Sequence, residues 1–210
     1  MKSYRLLGNV VATLVFGLFS MSSHAVLITN STPYDFSWSY SSGAAGLLTG
    51  NGSLTVGGFG TSSLTVAVSL SNTSTPASDR LTAFGFGINP NAASVTFADA
   101  ADGGMINASM SFIPSLATIE VCAYGGRNCM GGSNGGILGN GGTDSFSLVL
   151  RALAGTTWGT SVDIDPIGFK YQTGYGSYEF TTNVPEPATL SLLGAGLLLI
   201  GFSRKRKQNA

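Results

Sequence analysis

The chain has 210 residues, a formal net charge of zero and only 10% charged residues, which leaves room for one domain with small appendages. The zero hides an asymmetry, because six of the ten basic residues stand at the two ends while residues 26–183 hold nine acids against four bases. A middle so poor in cations repels phosphate backbones and lacks the basic cluster that an anionic lipid surface attracts, which argues against nucleic acid as a partner.

The amino end reads as an address. Lys2 and Arg5 precede an apolar run from Leu6 to Phe19, and Ser23-His24-Ala25 follows. A charged start, a short apolar run and small residues at −3 and −1 are what a secretory signal peptide requires, so residues 1–25 are expected to be removed by signal peptidase after Ala25. The run is short for a full membrane span. The secretion machinery is thereby implied as a transient partner.

From residue 26 to 183 the composition changes to Gly, Ser, Thr and Asn with regularly spaced apolar residues, which favours strands and turns over helices. Apolar and polar residues alternate strictly. Tyr34, Phe36, Trp38 and Tyr40 form the first row, and Leu64, Val66, Val68 and Leu70 the second. Further rows are Phe84, Phe86, Ile88; Ile106, Ala108, Met110, Phe112; and Ile119, Val121, Ala123. The last are Phe146, Leu148, Leu150; Ile167, Phe169, Tyr171; and Tyr178, Phe180. Shorter rows occur at Val95-Phe97 and Val162-Ile164. A period of two predicts about ten half-buried strands. Turn signals such as Asn89-Pro90-Asn91 and Asn140-Gly141-Gly142 separate them. The expected fold is all-β: an antiparallel β-sandwich or jelly-roll-like domain with the aromatics in its core. Residues 125–142, half of them glycine, read as a flexible loop, the alternative being backbone packed too closely for side chains.

Cys122 and Cys129 are the only cysteines. Outside the cytoplasm a disulfide is their default state, and closing a loop of about eight residues constrains the unfolded chain by roughly 2–3 kcal/mol. The only histidine, His24, falls in the signal peptide. The mature chain therefore has neither a Ser-His-Asp nor a Cys-His catalytic set nor a His-ligated metal.

Candidate site residues are consequently few. Asp99 and Asp102 in a Gly-rich turn, and Asp163 and Asp165 before Pro166, are oxygen ligands of a kind that suits calcium. A glycosidase needs two carboxylates facing each other across a bond, and nothing in the spacing selects a pair. No catalytic residues, metal or cofactor are assigned. Trp158, beside Gly159, is a candidate platform for stacking on a sugar ring, core packing being the alternative.

The carboxyl end carries a second address. Pro185-Glu186-Pro187 is followed by an apolar stretch from Ala188 to Phe202 and by Arg204-Lys205-Arg206-Lys207. As a helix the apolar part is about 22 Å long at 1.5 Å per residue, a single transmembrane helix under the hydrocarbon thickness. The basic cluster keeps the tail end cytoplasmic and places the domain outside. Residues 184–210, with the triplet, the glycine-interrupted apolar stretch and the basic cluster in this order, resemble the PEP-CTERM sorting signal. That resemblance implies recognition by an exosortase, a membrane transpeptidase of Gram-negative bacteria that make exopolysaccharide, followed by removal of the tail.

The middle is also similar to the cistern family of PEP-CTERM proteins. The resemblance rests on Arg80-Leu-Thr-Ala-Phe-Gly-Phe-Gly-Ile-Asn-Pro-Asn91, on Val121-Cys-Ala-Tyr-Gly-Gly-Arg-Asn-Cys129 and on Tyr171-Gln-Thr-Gly-Tyr-Gly-Ser-Tyr-Glu-Phe180. Many relatives carry an acid at the position where this chain has Gly87. The resemblance supports the domain limits and the disulfide and carries no chemistry. The expectation is a non-enzymatic protein, held transiently in the inner membrane, then placed at the cell surface or in the exopolysaccharide matrix of a biofilm. The alternative is a carbohydrate-binding module, assisted by calcium.

Overall fold

The computed structural model describes residues 26–29, 31–98, 104–130 and 134–182. In chain order the strands are β1 (Val26–Ile28), β2 (Tyr34–Ser41), β3 (Leu47–Gly57), β4 (Ser63–Asn72), β5 (Arg80–Asn89) and β6 (Ser94–Ala98). They continue with β7 (Asn107–Met110), β8 (Val121–Tyr124), β9 (Ile137–Leu138), β10 (Gly142–Arg151), β11 (Val162–Thr173) and β12 (Gly176–Thr182). The all-β expectation is borne out as two antiparallel sheets. A five-stranded sheet runs β2-β3-β4-β10-β6, and a seven-stranded sheet runs β1-β11-β5-β8-β7 with β12 also on β11 and β9 also on β5. Among the described residues no helix is long and apolar enough to cross a membrane. The expected signal peptide with its cleavage at Ala25, Asp99 and Asp102, and the tail from Val184 with Pro185, Glu186, Pro187, Arg204, Lys205, Arg206 and Lys207 lie outside the described residues.

The alternating rows meet between the sheets. Phe36 and Trp38 from β2 face Phe84 and Phe169 from the other sheet, with ring centroids 6.1 Å apart for Phe36–Phe84 and 4.1 Å for Trp38–Phe169. Leu64, Val66, Leu70, Phe86, Phe146, Leu148 and Tyr171 complete the same core. Each fully buried large side chain contributes roughly 1.5–3 kcal/mol relative to exposure.

Strand β3 has no counterpart in the apolar rows. Its inward positions are Leu48, Gly50, Gly52, Leu54 and Val56, so two glycines interrupt the period. They stand there because the neighbouring β2 rings lean across them: a Cβ at Gly50 would meet the Trp38 ring, and one at Gly52 the Phe36 ring. The rows at Val162-Ile164 and Ile167-Tyr171 are one strand, β11, with a bulge between Ile164 and Ile167. The row Ile106, Ala108, Met110, Phe112 does not enter the core as expected. It runs along β7, an edge strand, and Ile106, Met110 and Phe112 are exposed.

The seven-stranded sheet is covered on its other face as well. Strand β5 alternates Phe84, Phe86 and Ile88 inward with Gly85 and Gly87 outward, and β11 places Gly168 opposite Gly85. Onto this glycine floor press Ile119 and Leu116, which a Cβ at Gly168 would touch, while one at Gly85 would touch Ile119. Ala83, Ile113, Ile119, Cys122, Tyr124 and Cys129 form a second, smaller core there.

The glycine-rich segment is a correction to the flexible-loop reading. In its described parts Ile137–Leu138 pairs with β5, and the Gly125 amide donates to the Thr82 carbonyl at 3.0 Å. Cβ atoms at Gly125 and Gly136 would strike backbone of Gly136 and Leu81 respectively. The glycines are there because two backbones touch, with no room for side chains.

The two ends of the domain share one sheet edge. Val26 pairs with Ile164 and Thr182 with Ile167, so β12 stops where β1 starts, end to end along β11.

A polar node ties the two sheets together. The buried Asn72 amide donates to the carbonyls of Asp79 (3.0 Å) and Ile137 (2.9 Å), and its oxygen accepts from the Ser74 amide (3.1 Å) and the Tyr171 hydroxyl (3.0 Å). The Trp38 indole donates to the same hydroxyl at 2.9 Å. Burial pushes the Tyr171 phenol up to about 12, so it stays a donor throughout the working range. Tyr171→Phe is expected to cost about 1–3 kcal/mol, because it strands the Trp38 donor inside the core. Urea unfolding of the oxidised protein measures it, and an unchanged midpoint would contradict the bridging role.

Candidate functional site

Three regions can meet a partner: a cleft at the end of β5, the loop closed by the cysteines, and the outward face of the five-stranded sheet. The cleft, about 240 Å³, is lined by Gly87, Asn89, Thr118, Glu120, Asp163 and Asp165. The β11 bulge brings Asp163 and Asp165 to the Asn89-Pro90-Asn91 turn, and the start of β8 adds Glu120. Asn89 Nδ2 donates to Asp163 at 3.3 Å and Asn91 Nδ2 to Glu120 at 2.9 Å. One oxygen of Glu120 and one of Asp165 are buried with no hydrogen-bond partner among the described residues. Burial holds the Asp165 carboxyl above the usual carboxylate range. A Cβ at Gly87 would meet the carbonyls of Asp165 and Thr118, so backbone closes that side of the cleft.

Asp163 and Asp165 thus converge with Glu120, which the sequence reading did not single out. The signal that could have found it was the Asn-Pro-Asn turn, whose amides need acceptors from another element. The arrangement is oxygen-lined, but among the described residues no group of three or more His, Cys, Asp or Glu is placed to hold a metal ion.

Cys122 and Cys129 are joined in a disulfide, and both are fully buried in the smaller core. Lys170, only 4% exposed, donates to the carbonyl of Met130, the residue after Cys129, at 2.9 Å and forms an ion pair with Glu179 of β12 at 2.7 Å.

Trp158 is not a sugar platform. It is 1% exposed, its amide donates to the Thr61 carbonyl at 2.7 Å, and its ring belongs to the main core. The surface available to a polar partner is the hydroxyl face instead. Cross-strand rungs run Asp35-Ser53-Ser69-Ser145 and Ser37-Asn51-Ser71-Thr143. Two shallow depressions of about 350 and 370 Å³ lie along these strands.

Residues 183–207, immediately after β12, match the PEP-CTERM protein-sorting motif. The chain therefore carries a PEP-CTERM sorting motif. The motif implies an exported protein with exosortase processing. No curated protein and no solved structure matches the chain.

The most buried acid lies at the opposite end of β5 from the cleft. Asp79 is 2% exposed, one carboxylate oxygen has no partner among the described residues, and burial raises its pKa above the ordinary 3.8. The native state then holds this proton to a higher pH than the unfolded chain. Stability therefore rises as pH falls through the folded-state pKa and levels off below the unfolded value. Asp79→Asn is expected to flatten that part of the profile and to be more stable than wild type at neutral pH. Melting temperature against pH for both proteins checks it, and parallel profiles would contradict it.

Proposed function

We propose that this PEP-CTERM protein is a non-enzymatic component of the cell surface or of an exopolysaccharide-based extracellular matrix. A cleavable signal at residues 1–25 carries it through the inner membrane, and a transmembrane segment within 188–202 holds it there until an exosortase removes the tail. The sorting motif at residues 183–207 is the observation that carries the reading. The nearly uncharged hydroxyl face, where Asp35 and Arg151 are the charged outward residues of its described strands, suits hydrogen bonding to a neutral polymer. Placement of the middle in the cistern family rests on the quoted sequence blocks.

A second reading is a calcium-assisted carbohydrate-binding module. It draws on the buried, unpartnered oxygens of Glu120 and Asp165 in one cleft. Retention of the purified domain on matrix polysaccharide, lost with a chelator and lost in Asp165→Asn, is its expected signature. Equal retention in all three conditions removes the role of the cation, and no retention of the wild type removes the module.

For the leading reading, Pro185-Glu186-Pro187 changed to alanines is expected to leave a membrane-held form that still runs to Ala210. The wild type recovered from the surface should begin near Val26 and end near the triplet. Intact mass of both proteins from the native host decides it, and normal processing of the alanine form would remove the triplet as the recognition element.

A further inference from the structure

The ion pair between Lys170 and Glu179 joins two parts of the chain that have different duties. Glu179 sits on β12, the strand that runs straight into the sorting motif. The other acceptor of the Lys170 ammonium is the carbonyl of Met130, next to buried Cys129. A buried ammonium keeps its place only while its acceptors do, because an unpaired charge inside a protein is costly. The Cys122–Cys129 bond closes a loop with a sequence separation of 7, and Met130, whose carbonyl accepts from Lys170, is the next residue after that loop. We propose that Lys170 couples the disulfide loop to β12, so that oxidation of the cysteine pair is read at the strand leading into the sorting motif.

Oxidation proceeds by thiol–disulfide exchange with an external disulfide, as met in an oxidising compartment. One cysteine thiolate attacks the acceptor disulfide and expels a thiolate. The second cysteine's thiolate then attacks the first cysteine's sulfur in the mixed disulfide and expels the acceptor's other thiolate, forming the Cys122–Cys129 bond. The acceptor leaves as two thiols, carrying the two electrons lost by the cysteines. In the reduced state the loop loses its closure, the Met130 carbonyl is no longer fixed, and the ammonium gains more from water than from its remaining partner. Strand β12 then keeps its ladder to β11, the Phe180–Tyr40 ring stack at 4.5 Å and the Thr182 hydroxyl donation to the Ser37 carbonyl at 3.2 Å, but it loses its central ion pair. The coupling itself does not depend on what the exported domain binds, and its meaning for sorting rests on the motif.

Amide hydrogen exchange on the full chain in detergent tests it, comparing oxidised and reduced protein. In the wild type, reduction is expected to raise exchange across 176–182 by roughly tenfold as well as across 121–130, while β4 and β10 stay protected. In Lys170→Met the effect of reduction should stay within 121–130. Where that variant does not fold, Glu179→Gln, which removes the charge and keeps an acceptor, should show a smaller response at β12. Three results overturn the proposal: unchanged protection of β12 on reduction, the same loss at β12 with and without the Lys170–Glu179 pair, or loss throughout β4 and β10, which is unfolding of the whole domain.

Discussion

Burial of the seven-stranded sheet on both faces is the constraint from which most of the molecule follows. A strand covered on one side alternates apolar with polar residues, but a strand covered on both sides has room for polar side chains only where each finds a partner. Strand β5 meets this with phenylalanine toward the main core and glycine toward the other, and β11 repeats it at Ile167-Gly168-Phe169. Glycine weakens a strand by its entropy and its missing side chain. Here that loss is offset by Ile119 and Leu116 lying directly on the backbone. The second cover also explains how a lysine comes to be buried. Lys170 points into a layer made of chain rather than water, so its charge is met by a carbonyl and a carboxylate at fixed positions.

The five-stranded sheet is covered once, and its chemistry is different. Its inward face is apolar apart from Asn72 and Asp144 at one end, while its outward face carries hydroxyls and amides in register. Asn72 is tolerated because all of its donor and acceptor capacity is used, and two of those bonds reach the opposite sheet. The Tyr171 hydroxyl serves Trp38 and Asn72 together, so the node fixes how the sheets sit across their gap. Asp79 shares the neighbourhood without sharing the satisfaction, so burial raises its carboxyl above the ordinary value.

Much of this was legible in the residues. Period-two rows located β2, β4, β10, β11 and β12, because each has large apolar side chains on successive inward positions. Strand β3 was hidden, since rings from β2 fill part of its room and two of its five inward residues are glycines. The row at 106–112 has a perfect pattern and still lies at an edge, because periodicity reports a strand and not its neighbours. Trp158 stands among turn residues yet is sealed in the core, with its amide paired to Thr61 ninety-seven positions earlier. Glu120 joined Asp163 and Asp165 only through pairing of β5 with both β8 and β11, a long-range fact that spacing along the chain does not carry. The disulfide was readable from export and spacing, whereas the lysine that meets the residue beside Cys129 was not.

The end-to-end placement of β1 and β12 on one edge means that the chain enters and leaves the domain at neighbouring points, on the order of 10 Å apart at strand rise. A domain of this kind contributes bulk without reach. Stretched between two attachments at its ends, it would hang to the side of the line and lengthen it hardly at all. Fixed by one end, it carries the other back to its base. Whatever distance separates the hydroxyl face from the point of attachment is therefore set by the thickness of the domain alone.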